Sequence, residues 1–337
     1  MKLRRLLILL GIIGIVIVIA TTLGHPTKVL HAFRSVRWYV VPMVLAIQLV
    51  SYYCNARYYE AFLRISDLKV PLRRLYETAL GINFANQALP SGGVSGATYL
   101  AEALRDYHVP AGKAALAQLG RYGFTFLSFW AVLSAGFVML FFTDDLNKVS
   151  VRLIVFLMFL ILGTGLTLLL VFAERKRLEA ILNPIVQSIN TFGRRVLRRH
   201  HALIRDFQLG DFLDDFYRGY AELLHQKRHW GPLVGWTLAG NLAEIATVYS
   251  VFLGFGHPVN PGIVITGYAL AIIVSITSIF TNGIGVYEAG MIGTFSALGV
   301  PFALSFAVTL VYRILDMGMF LPIGFFFYRR HLKERTA

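Results

Sequence analysis

Acidic side chains are scarce in this chain: 18 Asp and Glu stand against 32 Lys and Arg, and charged residues of both signs make up 15% of 337 positions. A single cysteine, Cys54, excludes an intrachain disulfide and any Cys-x-x-Cys redox or zinc motif; inside an apolar run it reads as a small core residue. Nine histidines show no ligand spacing, and the adjacent His200 and His201 read as surface residues of a basic loop, so no metal is implied. No phosphate-binding loop of the Walker type and no Ser nucleophile elbow occurs, which argues against ATP-driven work and serine-hydrolase chemistry by this chain. Tandem repeats, Pro-rich linkers and low-complexity tails are also missing. No cofactor follows from these residues.

What is present is apolar sequence in long runs. Hydrophobic residues make up 56% of the chain and the mean hydropathy is +0.63, which defines an all-α polytopic membrane protein. The net charge of +14 sits between the apolar runs, where orientation in a bilayer explains it better than nucleic-acid binding. Six segments reach the roughly 20 residues that a crossing needs: Leu6 to Leu23, Trp38 to Arg57, Ala111 to Phe142, Arg152 to Phe172, Gly231 to Phe255 and Ala303 to Tyr328. The first follows Met1-Lys-Leu-Arg-Arg5 like a signal peptide but has no small-residue cleavage site, so it reads as an uncleaved span.

Two further apolar regions are broken near their midpoints, at Asn86-Gln-Ala-Leu-Pro-Ser-Gly-Gly-Val-Ser-Gly96 and at Thr281-Asn-Gly-Ile-Gly-Val-Tyr-Glu-Ala-Gly290. Backbone groups released by Gly and Pro inside hydrocarbon must meet protein or water, so paired breaks point to a lined cavity. Arg74 to Val109 has arms of about 16 residues, roughly 24 Å of helix, too short to cross, and reads as a re-entrant hairpin. Gly262 to Gly299 reads as a second hairpin, although its first arm is long enough to span. With six crossings and two hairpins, 23 Lys and Arg fall on one side and four on the other, which makes the first side cytoplasmic, with both termini there. The hairpins then enter from opposite faces, as an inverted repeat would produce. The chain divides into one integral membrane domain: N-terminal spans at 6–57, a first re-entrant half at 74–173, a cytoplasmic loop at 174–229, a second re-entrant half at 230–328 and a tail at 329–337. Within the loop, Asn183-Pro184 opens a helix with Ile185, Ile189, Phe192 and Val196 on one face and Arg194, Arg195, Arg198 and Arg199 mostly off it, suited to anionic headgroups or to packing on the bundle.

Ionisable residues inside apolar spans cost about 2.5 to 3.5 kcal/mol each and normally face a polar pathway or one another. Glu288 follows the second break, and Arg313 and Asp316 are three apart on one helix face. Arg313 could fork a lipid phosphate with Glu288 as its resting partner, or form a permanent ion pair with Asp316 or Glu288. In the first half, Glu102 and Arg105 lie on the second hairpin arm and Arg121 lies in the next span; two basic groups would suit a phosphate, and snorkelling to the interface is the alternative. Asn83, Asn86 and Gln87 precede the first break as caps or headgroup ligands. Glu244 with Asn241 is either interhelical glue or pathway. With the break residues Pro90, Gly92, Gly93, Asn282, Gly283 and Gly285, the candidate substrate-binding set is Asn86, Glu102, Arg105, Arg121, Glu288, Arg313 and Asp316.

Two stretches carry a resemblance. The polar-glycine break after Asn86, with Leu89-Pro90, and Asn282-Gly-Ile-Gly-Val-Tyr-Glu288, followed by Gly299-Val-Pro301 and Tyr312-Arg313, resemble the lysylphosphatidylglycerol synthase transmembrane, or flippase-like, family. The match runs from about Arg74 to Phe327. The chain departs from it in having Thr281 where a proline is common, Ser91-Gly-Gly-Val-Ser-Gly96 in place of an Arg-rich Gly-Asp pattern, and Gly120-Arg121-Tyr122 where a Glu-Arg pair often sits. The resemblance implies lipid movement between leaflets in members that carry an aminoacyl transferase domain; here the sequence ends about ten residues after its last span, and lipid synthesis by that route is not expected. The first expectation is a lipid transporter of the bacterial cytoplasmic membrane, moving an anionic or polyprenyl-linked lipid through a cavity between the hairpins. An integral-membrane enzyme acting on lipid and a scaffold for a lipid-modifying partner are the rivals. Expected partners are membrane lipids, a second copy of the chain or a lipid-synthesising protein.

Overall fold

The computed structural model describes residues 36–88, 93–142, 206–276 and 285–333, with short pieces between 151 and 184. The span expected at Leu6 to Leu23, the basic face at 185–199, much of Arg152 to Phe172, and Pro90, Gly92, Asn282 and Gly283 lie outside the described residues.

Among the described residues every regular element is helical. In chain order they are α1 (Val40–Arg64), α2 (Leu72–Ala88), α3 (Val94–Ala103), a 3-10 turn (Arg105–Tyr107), α4 (Ala111–Phe142), α5 (Asp206–His225), a second 3-10 turn (Lys227–His229), α6 (Trp230–Gly254), α7 (Pro261–Ile276), α8 (Val286–Ala297) and α9 (Phe302–Lys333). The helices form two matching units. Each opens with a 25-residue helix, α1 or α6, continues through a pair of short helices, and closes with a 32-residue helix, α4 or α9.

Local chemistry sets the same boundaries in both units. Pro71 and Pro261 stand at the starts of α2 and α7, where a missing N–H costs nothing. The second arms α3 and α8 both start behind a glycine in a positive-φ conformation, Gly93 at 93° and Gly285 at 84°, which a Cβ would strain. His108-Val109-Pro110 and Gly299-Val300-Pro301 then lead into α4 and α9, with positive φ at His108 and Gly299. Packing is reciprocal: α1 lies against α6, α4 against α7 of the other unit, and α9 against α2, while each long helix also packs on its own unit's second arm. That exchange is what a twofold relation between two units produces.

The first break is narrower than the sequence suggests. Asn86 is still helical at the end of α2, and Val94 to Gly96 already belong to α3. The Asn86 side chain reaches across the reversal and accepts a hydrogen bond from the Gly96 amide at 2.9 Å, while the Ser95 hydroxyl donates to the Ala85 carbonyl at 2.9 Å. The two arms therefore run side by side. The second arm of the first hairpin, α3, has 10 residues where roughly 16 were expected, and its counterpart α8 has 12; each is closed by its left-handed residue and proline ahead of the long helix.

Among the described residues two helices, over Ala111–Leu140 and Phe302–His331, are long and apolar enough to cross a membrane. The 25-residue α1 and α6 are about 37 Å long, sufficient for a crossing, but carry polar residues such as Gln48, Asn55, Asn241 and Glu244. α4 shows large apolar side chains on its outside, including Leu127, Trp130, Val138, Met139 and Phe142, the reverse of a water-facing helix. Buried apolar residues form two clusters. One gathers around the first hairpin and the end of α9 (Phe62, Leu80, Phe84, Leu100, Phe320). The other surrounds the second hairpin and the far half of α4 (Phe129, Leu133, Phe252, Val264, Phe295).

Candidate functional site

Residues from seven helices line one cavity of about 340 Å³. α1 gives Ser51, Tyr52, Asn55 and Tyr59; α2 gives Asn83, Asn86 and Gln87; α4 gives Arg121, Tyr122 and Thr125; α6 gives Thr237, Asn241 and Glu244; α7 and α8 add Tyr268 and Tyr287; α9 adds Tyr312, Arg313 and Asp316. Such a concentration of amides, phenols and charges in so apolar a chain is costly unless it is hydrated or meets a ligand.

Each unit contributes an adjacent Arg and Tyr from its long helix to face its own hairpin. In the first, Asn86 Nδ2 donates to the Tyr122 hydroxyl at 3.4 Å, which also takes a hydrogen bond from Gln118 Nε2 at 3.0 Å. Arg121 donates from Nη1 to Asn55 Oδ1 at 3.2 Å, and its guanidinium carbon lies 5.1 Å from the centre of the Tyr122 ring. In the second unit, Arg313 Nε donates to Glu288 and the guanidinium lies 4.4 Å over the Tyr287 ring. Glu288 turns its other oxygen to the Gly285 amide at 2.6 Å, so one carboxylate caps α8 and neutralises Arg313.

The charges are unevenly paired. Arg313 has its carboxylate, but among the described residues Arg121 has none, and its Nε is buried without a hydrogen-bond partner. Glu244 accepts from Gln48 Nε2 at 2.9 Å and from Ser51 Oγ at 2.7 Å, neutral donors only. Asp316, on the same face of α9 as Arg313, makes no ion pair among the described residues, while Arg313 pairs through Nε with Glu288. Asn241 is committed elsewhere, donating to Ser128 Oγ at 2.6 Å and to the Thr125 carbonyl at 3.3 Å.

Of the residues singled out from sequence, the structure brings Asn83, Asn86, Gln87, Arg121, Asn241, Glu244, Arg313 and Asp316 to the cavity wall, with Glu288 directly behind Arg313. Gly93 adjoins it, since a Cβ there would lie 2.7 Å from the Tyr122 hydroxyl. Gly285 contributes the amide that Glu288 caps. Glu102 and Arg105 do not line the cavity; Arg105 is exposed on the 3-10 turn at the far end of the first hairpin. Snorkelling, the alternative weighed for Arg105, agrees with that position. Sequence reasoning missed Asn55 and the tyrosines at 52, 59, 122, 268, 287 and 312. Their signal is periodic: Gln48, Ser51, Tyr52, Asn55 and Tyr59 form a polar stripe at helical spacing inside the apolar α1.

The fold and cavity define an all-helical membrane protein organised around an internal polar chamber. A profile described as the lysylphosphatidylglycerol synthase TM region matches residues 6–324, and the chain belongs to that family. A UPF0104 membrane protein of Methanothermobacter thermautotrophicus is 28% identical over 189 residues, which are 49% of this chain and 57% of that relative. The chain thus covers little more than half of the relative's length. No solved structure matches.

Proposed function

We propose that the protein moves a phospholipid between membrane leaflets, passing the headgroup through the chamber while the acyl chains stay in the bilayer. The observation that carries this reading is the cavity itself: both hairpins, both long helices and α1 and α6 meet around it with charged groups that have no complete set of partners among the described residues. The family's lipid connection agrees with it. In this proposal the chain crosses a cytoplasmic membrane six times, α2–α3 and α7–α8 are re-entrant hairpins entering from opposite faces as an inverted repeat, and both termini are cytoplasmic. The two units rock around the cavity to expose it alternately. On this proposal the protein acts as a transporter and not as an enzyme.

The test is reconstitution of the purified chain in liposomes carrying a short-chain fluorescent phospholipid, with albumin extracting the outer-leaflet probe. A protein-dependent second phase of extraction is the expected result. Extraction no different from protein-free vesicles would refute the proposal.

A further inference from the structure

Arg121, Glu244 and Asp316 are each partly exposed, and all three line the cavity. With Arg313 cancelled by Glu288, they are the cavity-lining charges that no ion pair satisfies among the described residues. One lone cation and two lone carboxylates in a chamber of about 340 Å³ call for a ligand that carries both signs, since a charge left unpaired at low dielectric is costly and is repaid by an opposite charge in contact.

We infer that the occupant is a zwitterionic phospholipid headgroup, its phosphate on Arg121 and its primary ammonium between Glu244 and Asp316. The inference rests on the lipid-transport reading and names its substrate class. Arg121 suits the phosphate because Nη1 is held by Asn55 while Nε, buried and without a partner, remains to complete a fork. Glu244 suits an ammonium because its hydrogen-bond donors, Gln48 and Ser51, are both neutral and it makes no ion pair among the described residues. A purely anionic headgroup satisfies Arg121 alone and leaves the two carboxylates facing its negative charge.

The experiment is native mass spectrometry of the purified full chain titrated with phosphatidylethanolamine and phosphatidylglycerol. Phosphatidylethanolamine is expected to be retained at about tenfold lower concentration than phosphatidylglycerol, the size of one charge-assisted hydrogen bond. E244Q and D316N are expected to erase that preference, and R121Q to weaken both lipids alike. Equal or tighter binding of phosphatidylglycerol would overturn the zwitterion assignment and leave lipid transport standing. Failure of the folded wild-type chain to retain either lipid would overturn both. The wild-type comparison needs no variant to fold.

Discussion

Arg121 and Arg313 look alike in sequence, each beside a tyrosine on a 32-residue helix, yet the structure predicts opposite responses to the same substitution. Arg313→Gln leaves Glu288 without its guanidinium. Breaking a buried pair from one side costs about 3–5 kcal/mol; Glu288 keeps 27% of its side chain exposed and still accepts from the Gly285 amide, so the lower end, about 3 kcal/mol, applies. Arg121→Gln loses one charged hydrogen bond to Asn55, worth about 1.5–3 kcal/mol, but removes a partly exposed cation that has no carboxylate partner among the described residues and whose Nε is buried, and the Gln amide can still donate to Asn55. The two effects offset to within about 1 kcal/mol. Thermal unfolding in detergent should therefore show Arg121→Gln near the wild-type midpoint and Arg313→Gln well below it. In liposomes Arg121→Gln should slow lipid movement by tenfold or more, since a charged contact of about 1.5–3 kcal/mol is lost to the headgroup. If Arg121→Gln unfolds as readily as Arg313→Gln while the folded fraction transports normally, the assignment of Arg121 to ligand and Arg313 to structure is wrong.

The two left-handed glycines separate strain from space. Gly285→Ala should cost about 1–2 kcal/mol for the backbone alone, as nothing lies within 4 Å of its new Cβ, whereas Gly93→Ala adds a 2.7 Å approach to the Tyr122 hydroxyl and should cost more. Gly123→Ala, helical and open on its free side, should be neutral or slightly stabilising, and equal melting points for all three would contradict the argument. At the base of α4, Lys113 holds Glu222 of α5 at 2.9 Å, and Ser66 also donates to it. Burial acts to raise the Glu222 pKa, but the hydrogen bonds from Ser66 and Lys113 and the Lys113 and Arg218 charges outweigh it and hold the carboxyl below its ordinary 4.5. A depressed carboxylate stabilises fully above that ordinary value and loses its contribution as pH falls through the lowered one. Amide exchange in α5, corrected for intrinsic rates, should therefore accelerate below about pH 4.5 in the wild type and not in Glu222→Gln; a shared acid step would refute the link.

How much of this was legible beforehand follows from what hydropathy encodes. Ala111 to Phe142 was readable to the residue because Pro110 stops the chain before it and the run is uniformly apolar. The break glycines were legible because Gly and Pro punctuate apolar sequence, yet the exact edges were not: Asn86 prolongs α2 by spending its side chain on the Gly96 amide, a tertiary contact that no local signal announces. The paired breaks already pointed to two halves, but the matching helix lengths and the parallel of His108-Val-Pro with Gly299-Val-Pro were not legible, because little identity connects the halves. Charged site residues were visible, since Arg121, Arg313 and Asp316 stand out in apolar helices. The tyrosines were not, because Tyr serves equally as core and as polar lining; reading α1 for a polar stripe at helical spacing would have found Tyr52, Asn55 and Tyr59. Glu102 and Arg105 misled because linear proximity to the break placed them near it, while ten residues of α3 carry them away from it.

The cavity's role can be switched on one folded sample. Gly240 lines the chamber, and a Cβ there meets only the Cys54 Cβ, at 3.7 Å, so Gly240→Cys in a Cys54→Ala background should fold and transport. Modification with a bulky methanethiosulfonate should then stop lipid movement in the albumin assay, and reduction of the mixed disulfide should restore it. Transport at the unmodified rate with the thiol fully derivatised would contradict passage through this cavity.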